Sequence, residues 1–147
     1  MRSRNMWIWV LCATLGIWGR SALPVQADEP RDGVFIHVTH AADDPHRVLM
    51  ALSMAAIMCE DHDVLVYFDI KGVEVVMKDA TDLTYSHFPS SRTQLAALSK
   101  KGVTLMACPG CLKAAGKKPE DLAAGIQVAD KKTFFSFTKG RILTLDY

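Results

Sequence analysis

Val103-Thr104-Leu105-Met106-Ala107-Cys108-Pro109-Gly110-Cys111-Leu112 joins a short apolar run to two thiols at C-x-x-C spacing. The run reads as a buried strand and Cys108 to Cys111 as a tight turn. Leu112 to Ala115 then form a short helix ended by Gly116. A cysteine between the end of a strand and the start of a helix sits where ligands collect in open α/β sheets. The helix dipole and free backbone N–H groups there favour thiolate over thiol. Three chemistries fit such a turn: sulfur carriage, dithiol–disulfide exchange and metal binding.

The segments around this turn alternate between strand and helix. Gly33 to Thr39 is β-branched and aromatic, and Asp63 to Phe68 is a near-continuous apolar strand of the kind buried in parallel sheets. Between them, Asp44 and Pro45 are the N-cap and first residue of a helix that runs to about Cys59. Val48, Leu52, Ala55 and Cys59 make one apolar stripe on it, and Met50, Met54, Ile57 and Met58 make its other sides apolar too. A helix apolar nearly all round predicts a second buried side, hence a homo-oligomer.

Gly72 opens Val73 to Met77, which periodicity leaves open between a strand and a helical turn. Residues 79–91 are polar and hold Pro89, so they form a loop. Ser91 and Gln94 have capping-box spacing and open a helix that ends at Lys100-Lys101-Gly102. Beyond the cysteines, Pro119-Glu120-Asp121 starts a short helical piece. Asp130 caps a helix expected through Phe137, and Arg141 to Tyr147 is a last strand. The alternation predicts an α/β fold, a three-layer sandwich with a mostly parallel sheet.

Arg2 and Arg4, the apolar run from Met6 to Trp18, and Val25-Gln26-Ala27 have the layout of a secretory signal peptide, cleaved between Ala27 and Asp28. The run is shorter than the roughly 20 residues a membrane span needs, so no permanent span is expected after cleavage. Residues 28–147 then form a single domain in a periplasmic or secreted protein. Overall the chain has 17 basic and 16 acidic residues; losing Arg2, Arg4 and Arg20 leaves 14 against 16, net −2. That balance argues against nucleic acid as a partner. Cys12 leaves with the peptide, and Cys59, Cys108 and Cys111 remain. An odd count in an oxidising compartment favours a reactive thiol over a disulfide scaffold.

With this order of elements, residues 33–147 resemble the DsrE/DsrF family of small sulfur-relay proteins. The resemblance rests on the Asp-rich turn into an Ala- and Met-rich helix, Val64-Leu65-Val66-Tyr67-Phe68, Gly72-Val73, Lys101-Gly102-Val103 and Ala107-Cys108. In the family an alanine and the reactive cysteine end the central strand, and a glycine follows eight residues later. Ala107, Cys108 and Gly116 fit without a gap. The resemblance implies that Cys108 accepts sulfur as a persulfide and passes it on, and that the chain assembles into rings or trimers. Sulfur donor and acceptor proteins, or small sulfur species, are the partners it implies. Departures are Ala114 and Ala115 where cytoplasmic members carry basic residues, the additional Cys111, and the export signal.

Cys108 and Cys111 are therefore the candidate site residues, Cys108 as the working thiol and Cys111 as one that resolves it by a local disulfide. Cys59 reads as a core thiol. His40 follows the first strand and His46 lies in the first turn of the next helix, and strand-end turns gather on one edge of such a sheet, so both are candidates to approach Cys108. Two thiols with an imidazole suit Cu(I) or Zn. One C-x-x-C without a second ligand pair is a weak metal signal, so no cofactor is assigned. His37 is mid-strand with its side open, and His62 and His87 read as surface residues. Sulfur transfer ranks first, a dithiol oxidoreductase second and a metal-binding module third.

Overall fold

The structure is a computed structural model that describes residues 29–147; the expected signal peptide, its cleavage site and Cys12 lie outside the described residues. The chain runs β1 (Gly33–Val38), α1 (Pro45–Met58), β2 (Asp63–Phe68), a 3-10 turn (Gly72–Val76), α2 (Ser91–Lys100) and β3 (Thr104–Ala107). It continues with α3 (Pro109–Ala114), a 3-10 turn (Pro119–Asp121), β4 (Gln127–Val128), α4 (Lys131–Phe134) and β5 (Ile142–Asp146). The five strands pair in the order β4-β3-β2-β1-β5, every pair parallel. The expected α/β architecture is present, and its sheet is parallel throughout. Among the described residues no helix is long and apolar enough to cross a membrane.

Alternation along the strands divides the sheet into two unlike faces. Val34, Ile36 and Val38 of β1, Val64, Val66 and Phe68 of β2, and Leu105 and Ala107 of β3 point one way. They form the main core with Val48, Leu49, Leu52 and Ala55 of α1 and Leu98 of α2. Phe35, His37, Leu65, Tyr67, Thr104 and Met106 point the other way. There the cover is α4, whose Phe134 meets Phe35 and Tyr67 edge-on at centroid distances of 5.4 and 5.3 Å. Chain order explains the asymmetry. Steps from β1 to β4 move across the sheet in one direction, so right-handed crossovers put their helices on one face. The step from β4 back to β5 runs the other way and sends α4 to the opposite face. The second covering layer is thus thin.

Local chemistry accounts for the helices. The Asp44 carboxylate accepts from the Arg47 N–H at 3.1 Å, and Pro45 stands at the first helical position. At α2 the cap is Ser90, whose hydroxyl accepts from the Thr93 N–H, rather than Ser91. The expected capping box does other work. Ser91 Oγ accepts from the Leu83 N–H at 2.9 Å, and buried Gln94 donates to the Pro89 carbonyl at 2.8 Å and accepts from Ser53 of α1 at 3.0 Å. These bonds satisfy polar groups whose burial would otherwise be costly, and they fasten α2 to α1.

Two elements differ from expectation. The α4 helix stops at Phe134 rather than Phe137. Thr133, Phe134 and Phe135 are weak helix formers, and Thr138 Oγ1 ties the chain back by donating to the Arg31 carbonyl at 2.7 Å. The two-residue β4 was not anticipated, because so short a strand has no periodicity to read. The open segment after Gly72 is a 3-10 turn. Gly72 lies so close to the end of β1 that a Cβ there would run into the Val38 carbonyl, so only glycine fits.

Candidate functional site

The carboxyl ends of β2 and β3 bring the site together. Cys108 follows β3 directly, and its N–H donates to the Phe68 carbonyl of β2 at 2.9 Å, which holds the residue against the sheet. It has extended backbone angles and is the N-cap of α3, with Pro109 at the first helical position. Its sulfur takes the place of a capping oxygen and accepts from the Cys111 N–H at 3.3 Å. One turn later, the Cys111 sulfur accepts from the Ile70 N–H at 3.1 Å. Both cysteines are free and half-buried. Gly116 ends α3 with φ of +66°, so the glycine eight residues after the cysteine is a helix stop.

Below the thiols lies a polar and aromatic cluster on the thin face of the sheet. The Tyr67 hydroxyl lies against the Cys108 sulfur. His37, paired with Tyr67 across the β1–β2 ladder, stacks on its ring at 6.0 Å between centroids. His37 Nε2 is 2.8 Å from Asp69 Oδ1, and its Nδ1 is 3.0 Å from Asp146 Oδ1. Ile70 completes the β2 turn with φ of +48°. A β-branched residue in that region is strained, and such strain gathers at functional sites.

This arrangement makes the two thiols unlike. Burial pushes the Cys108 thiol up. The hydroxyl of Tyr67, the Cys111 side chain and the N–H groups of Cys111 and Gly110 outweigh it, so Cys108 titrates below the ordinary thiol range. Burial and the adjoining Cys108 push Cys111 up, against the Ile70 N–H, and Asp69 adds to the rise. Burial and the nearby Cys108, Asp69 and Cys111 raise the Tyr67 phenol, which keeps its proton and can donate it to sulfur. Side-chain donors and backbone N–H groups thus supply the stabilisation of Cys108. The expected helix terminus contributes through those N–H groups.

Cys108 and Cys111 lie together as the sequence suggests. His40 and His46 do not join them. His40 Nδ1 is 2.9 Å from Thr39 Oγ1, and the ring of His46 stacks on Tyr85 at 4.6 Å. The described residues hold no group of three or more His, Cys, Asp and Glu side chains that fits a metal ion. Cys59 is half-buried at the end of α1 and donates to the Ala56 carbonyl at 3.3 Å. The histidine of the site is His37, which a mid-strand position left without a direction. In sequence Tyr67 reads only as part of the apolar strand, and Asp69 and Ile70 are not singled out. Polar residues in and just after an apolar strand were the signal for Tyr67 and Asp69, and nothing local marks Ile70. A cavity of about 310 Å³ between the loop after β2 and α2 is lined by Val75, Met77, Arg92, Leu95 and Ile126, and contains neither thiol.

Residues 32–140 match the DsrE/DsrF-like family. The chain belongs to that family. Two solved structures share the fold of this DsrE-like protein. One is a protein of unknown function, MTH1491, from Methanobacterium thermoautotrophicum, 21% identical with a TM-score of 0.57. The other is the ychN protein from E. coli, 15% identical with a TM-score of 0.61. Each covers 78% of this chain over 99% of its own length. No protein of curated function matches. At these identities the two structures speak for the fold alone, and family membership points to a role of the sulfur-relay type.

Proposed function

We propose that this DsrE-like protein carries sulfur as a persulfide on Cys108 and transfers it to a partner. The supporting observation is the unequal thiol pair. Cys108 has four donors on or near its sulfur and titrates low, while Cys111 beside it titrates high. In the loading step the Cys108 thiolate attacks the outer sulfur of a donor persulfide, R–S–SH. A Cys108 S–S bond forms, the donor S–S bond breaks, and R–S⁻ leaves. In unloading, an acceptor thiolate attacks the outer sulfur and Cys108 leaves as thiolate. Tyr67 steadies the charge on the Cys108 sulfur before loading and after release.

The contact between the two cysteines favours a second exit. Cys111 as thiolate attacks the inner sulfur, a Cys108–Cys111 disulfide forms, and HS⁻ leaves. A dithiol reductant of the compartment then restores the site. The protein acts outside the cytoplasmic membrane after removal of residues 1–27. It does so as a homo-oligomer, for which Met50 and Ile57, exposed on α1, supply apolar surface.

Intact-mass measurement of the purified protein, with and without a persulfide donor, tests this reading. Addition of one sulfur atom to the wild type, and none to Cys108→Ser, is expected. Loading that survives in Cys108→Ser overturns it.

A further inference from the structure

Sulfur passed between proteins needs a partner seated within bonding reach of Cys108, and the charges around that thiol are unevenly spread. Residues 28–108 hold seven basic residues against twelve acids, whereas residues 109–139 hold six lysines against three acids. On the β1 and β5 side of the thiols stand the carboxylates of Asp69 and Asp146, both on His37. Lys71, on that side too, is held by Asp43 at 3.0 Å.

Towards β4 the balance is reversed. Lys113 lies on α3, the helix that Cys108 caps. The Ala129 N–H donates to the Ala107 carbonyl at 2.9 Å, so α4 sets off beside Cys108 with Lys131 and Lys132 as its first two residues. These three lysines are exposed, and none joins an ion pair among the described residues. The Asp130 carboxylate between them and Cys108 is turned to backbone, accepting from the Lys132 and Thr133 N–H groups at 2.9 and 3.0 Å. Asp121 likewise accepts from the Lys118 N–H at 2.8 Å, and Glu120 stands beside it in the second 3-10 turn.

Two exposed apolar groups complete this surface. Ile70, 63% exposed, is tied to the thiols by its N–H on the Cys111 sulfur. Phe135, 72% exposed, meets Phe134 edge-on at 5.3 Å, one turn past Lys131. Exposed large apolar groups rimmed by charge mark interaction sites, and unpaired cations select what settles there.

We propose that Lys113, Lys131, Lys132, Ile70 and Phe135 form the docking surface for the protein that exchanges sulfur with Cys108, and that this partner presents carboxylates and an apolar side chain next to its own cysteine. The proposal rests on the persulfide reading above, which supplies the need for a partner. Opposite charge speeds and orients the encounter, and the apolar contact excludes water around the thiol. An anionic membrane fits less well. A helix lying in a lipid surface buries a broad apolar face, and α4 is a single turn with one exposed aromatic.

The test uses the purified mature protein and two synthetic peptides, Glu-Glu-Leu-Cys-Glu and Lys-Lys-Leu-Cys-Lys, each with its cysteine as a pyridyl disulfide. The Cys108 thiolate attacks the peptide sulfur, a peptide–Cys108 disulfide forms, and pyridine-2-thione leaves with a proton from solvent. This rate needs no persulfide. An overall net charge of −2 would by itself favour the basic peptide. The expected result is a rate about tenfold higher for the acidic peptide at low salt, with the ratio falling towards one at about 0.5 M sodium chloride. With Lys113→Gln, Lys131→Gln and Lys132→Gln combined, the low-salt ratio should fall to one or below. Both peptides meet the same thiol, so the ratio cancels any change in its ionisation. A wild type that prefers the basic peptide, or a preference for the acidic one that survives the three substitutions, overturns the proposal. Lysine-dependent sedimentation of the wild type with phosphatidylglycerol vesicles would assign the patch to a membrane and overturn it too. Failure of Cys108 to load sulfur, with the acidic preference intact, removes the persulfide reading and leaves an acidic thiol partner standing.

Discussion

The two faces of this sheet are built from the same strands and do opposite things. On one, Val34, Ile36, Val38, Val66 and Phe68 disappear beneath two helices as an apolar layer. On the other, alternate residues of the same β1 and β2 are Phe35, His37 and Tyr67, half-covered by one short helix and joined to Asp69, Asp146 and the thiols. The thick face supplies stability that the thin face does without. A charged, strained cluster persists on the thin face because the fold is already secured on the other.

The largest effect should come from the thick face. Phe68→Ala removes a fully buried ring next to the site and should cost about 3–5 kcal/mol, read as a fall in the denaturant midpoint. Phe134→Ala removes the half-exposed cover of the thin face and should cost about 1 kcal/mol. Equal losses at the two positions would break the contrast between the faces.

Tyr67→Phe separates chemistry from stability. It keeps the stacking on His37 and removes the hydroxyl at Cys108, so Cys108 alkylation at neutral pH should fall several-fold while the thermal midpoint barely moves. Unchanged alkylation would deny Tyr67 its role as donor.

The smallest effect is a pH dependence of stability. Burial pushes His37 down, but Asp69 and Asp146 more than offset this, so its folded value lies above 6.5. The resulting stabilisation is fully present below the unfolded value and is lost as pH rises through the folded one. His37→Gln should flatten that part of the stability curve in urea titrations at a series of pH values. The site is partly open to water, so the change should be modest.

Much of this was legible in the residues alone. Four of the five strands, the helix capped by Asp44 and Pro45, and the cysteine turn are local patterns. Alternation, capping chemistry and proline geometry act over a few residues and need no tertiary contact. The same holds for Cys108 as the N-cap of α3 and for Gly116 as its stop. Where a local pattern had two uses, packing chose between them. Ser91 and Gln94 have the spacing of a capping box, but once buried they serve the Leu83 N–H and the contact with α1.

Residue pattern alone was enough for the fold class, the order of its elements and the two thiols at the end of the central strand. Each follows from short-range rules that any such chain obeys. Which histidine stands in the cluster beside those thiols followed from packing alone. His37 lies 71 positions before Cys108, and parallel pairing of β1 with β2 and of β2 with β3 brings it to the same edge, while His40 turns to Thr39 and His46 to Tyr85. Packing also decided the division of acidity between Cys108 and Cys111. That division depends on Tyr67, Asp69 and the Ile70 N–H, groups whose distance from sulfur is set by sheet register and a strained turn. Electrostatic effects follow distance in space and burial, and neither is written in the spacing of residues along the chain.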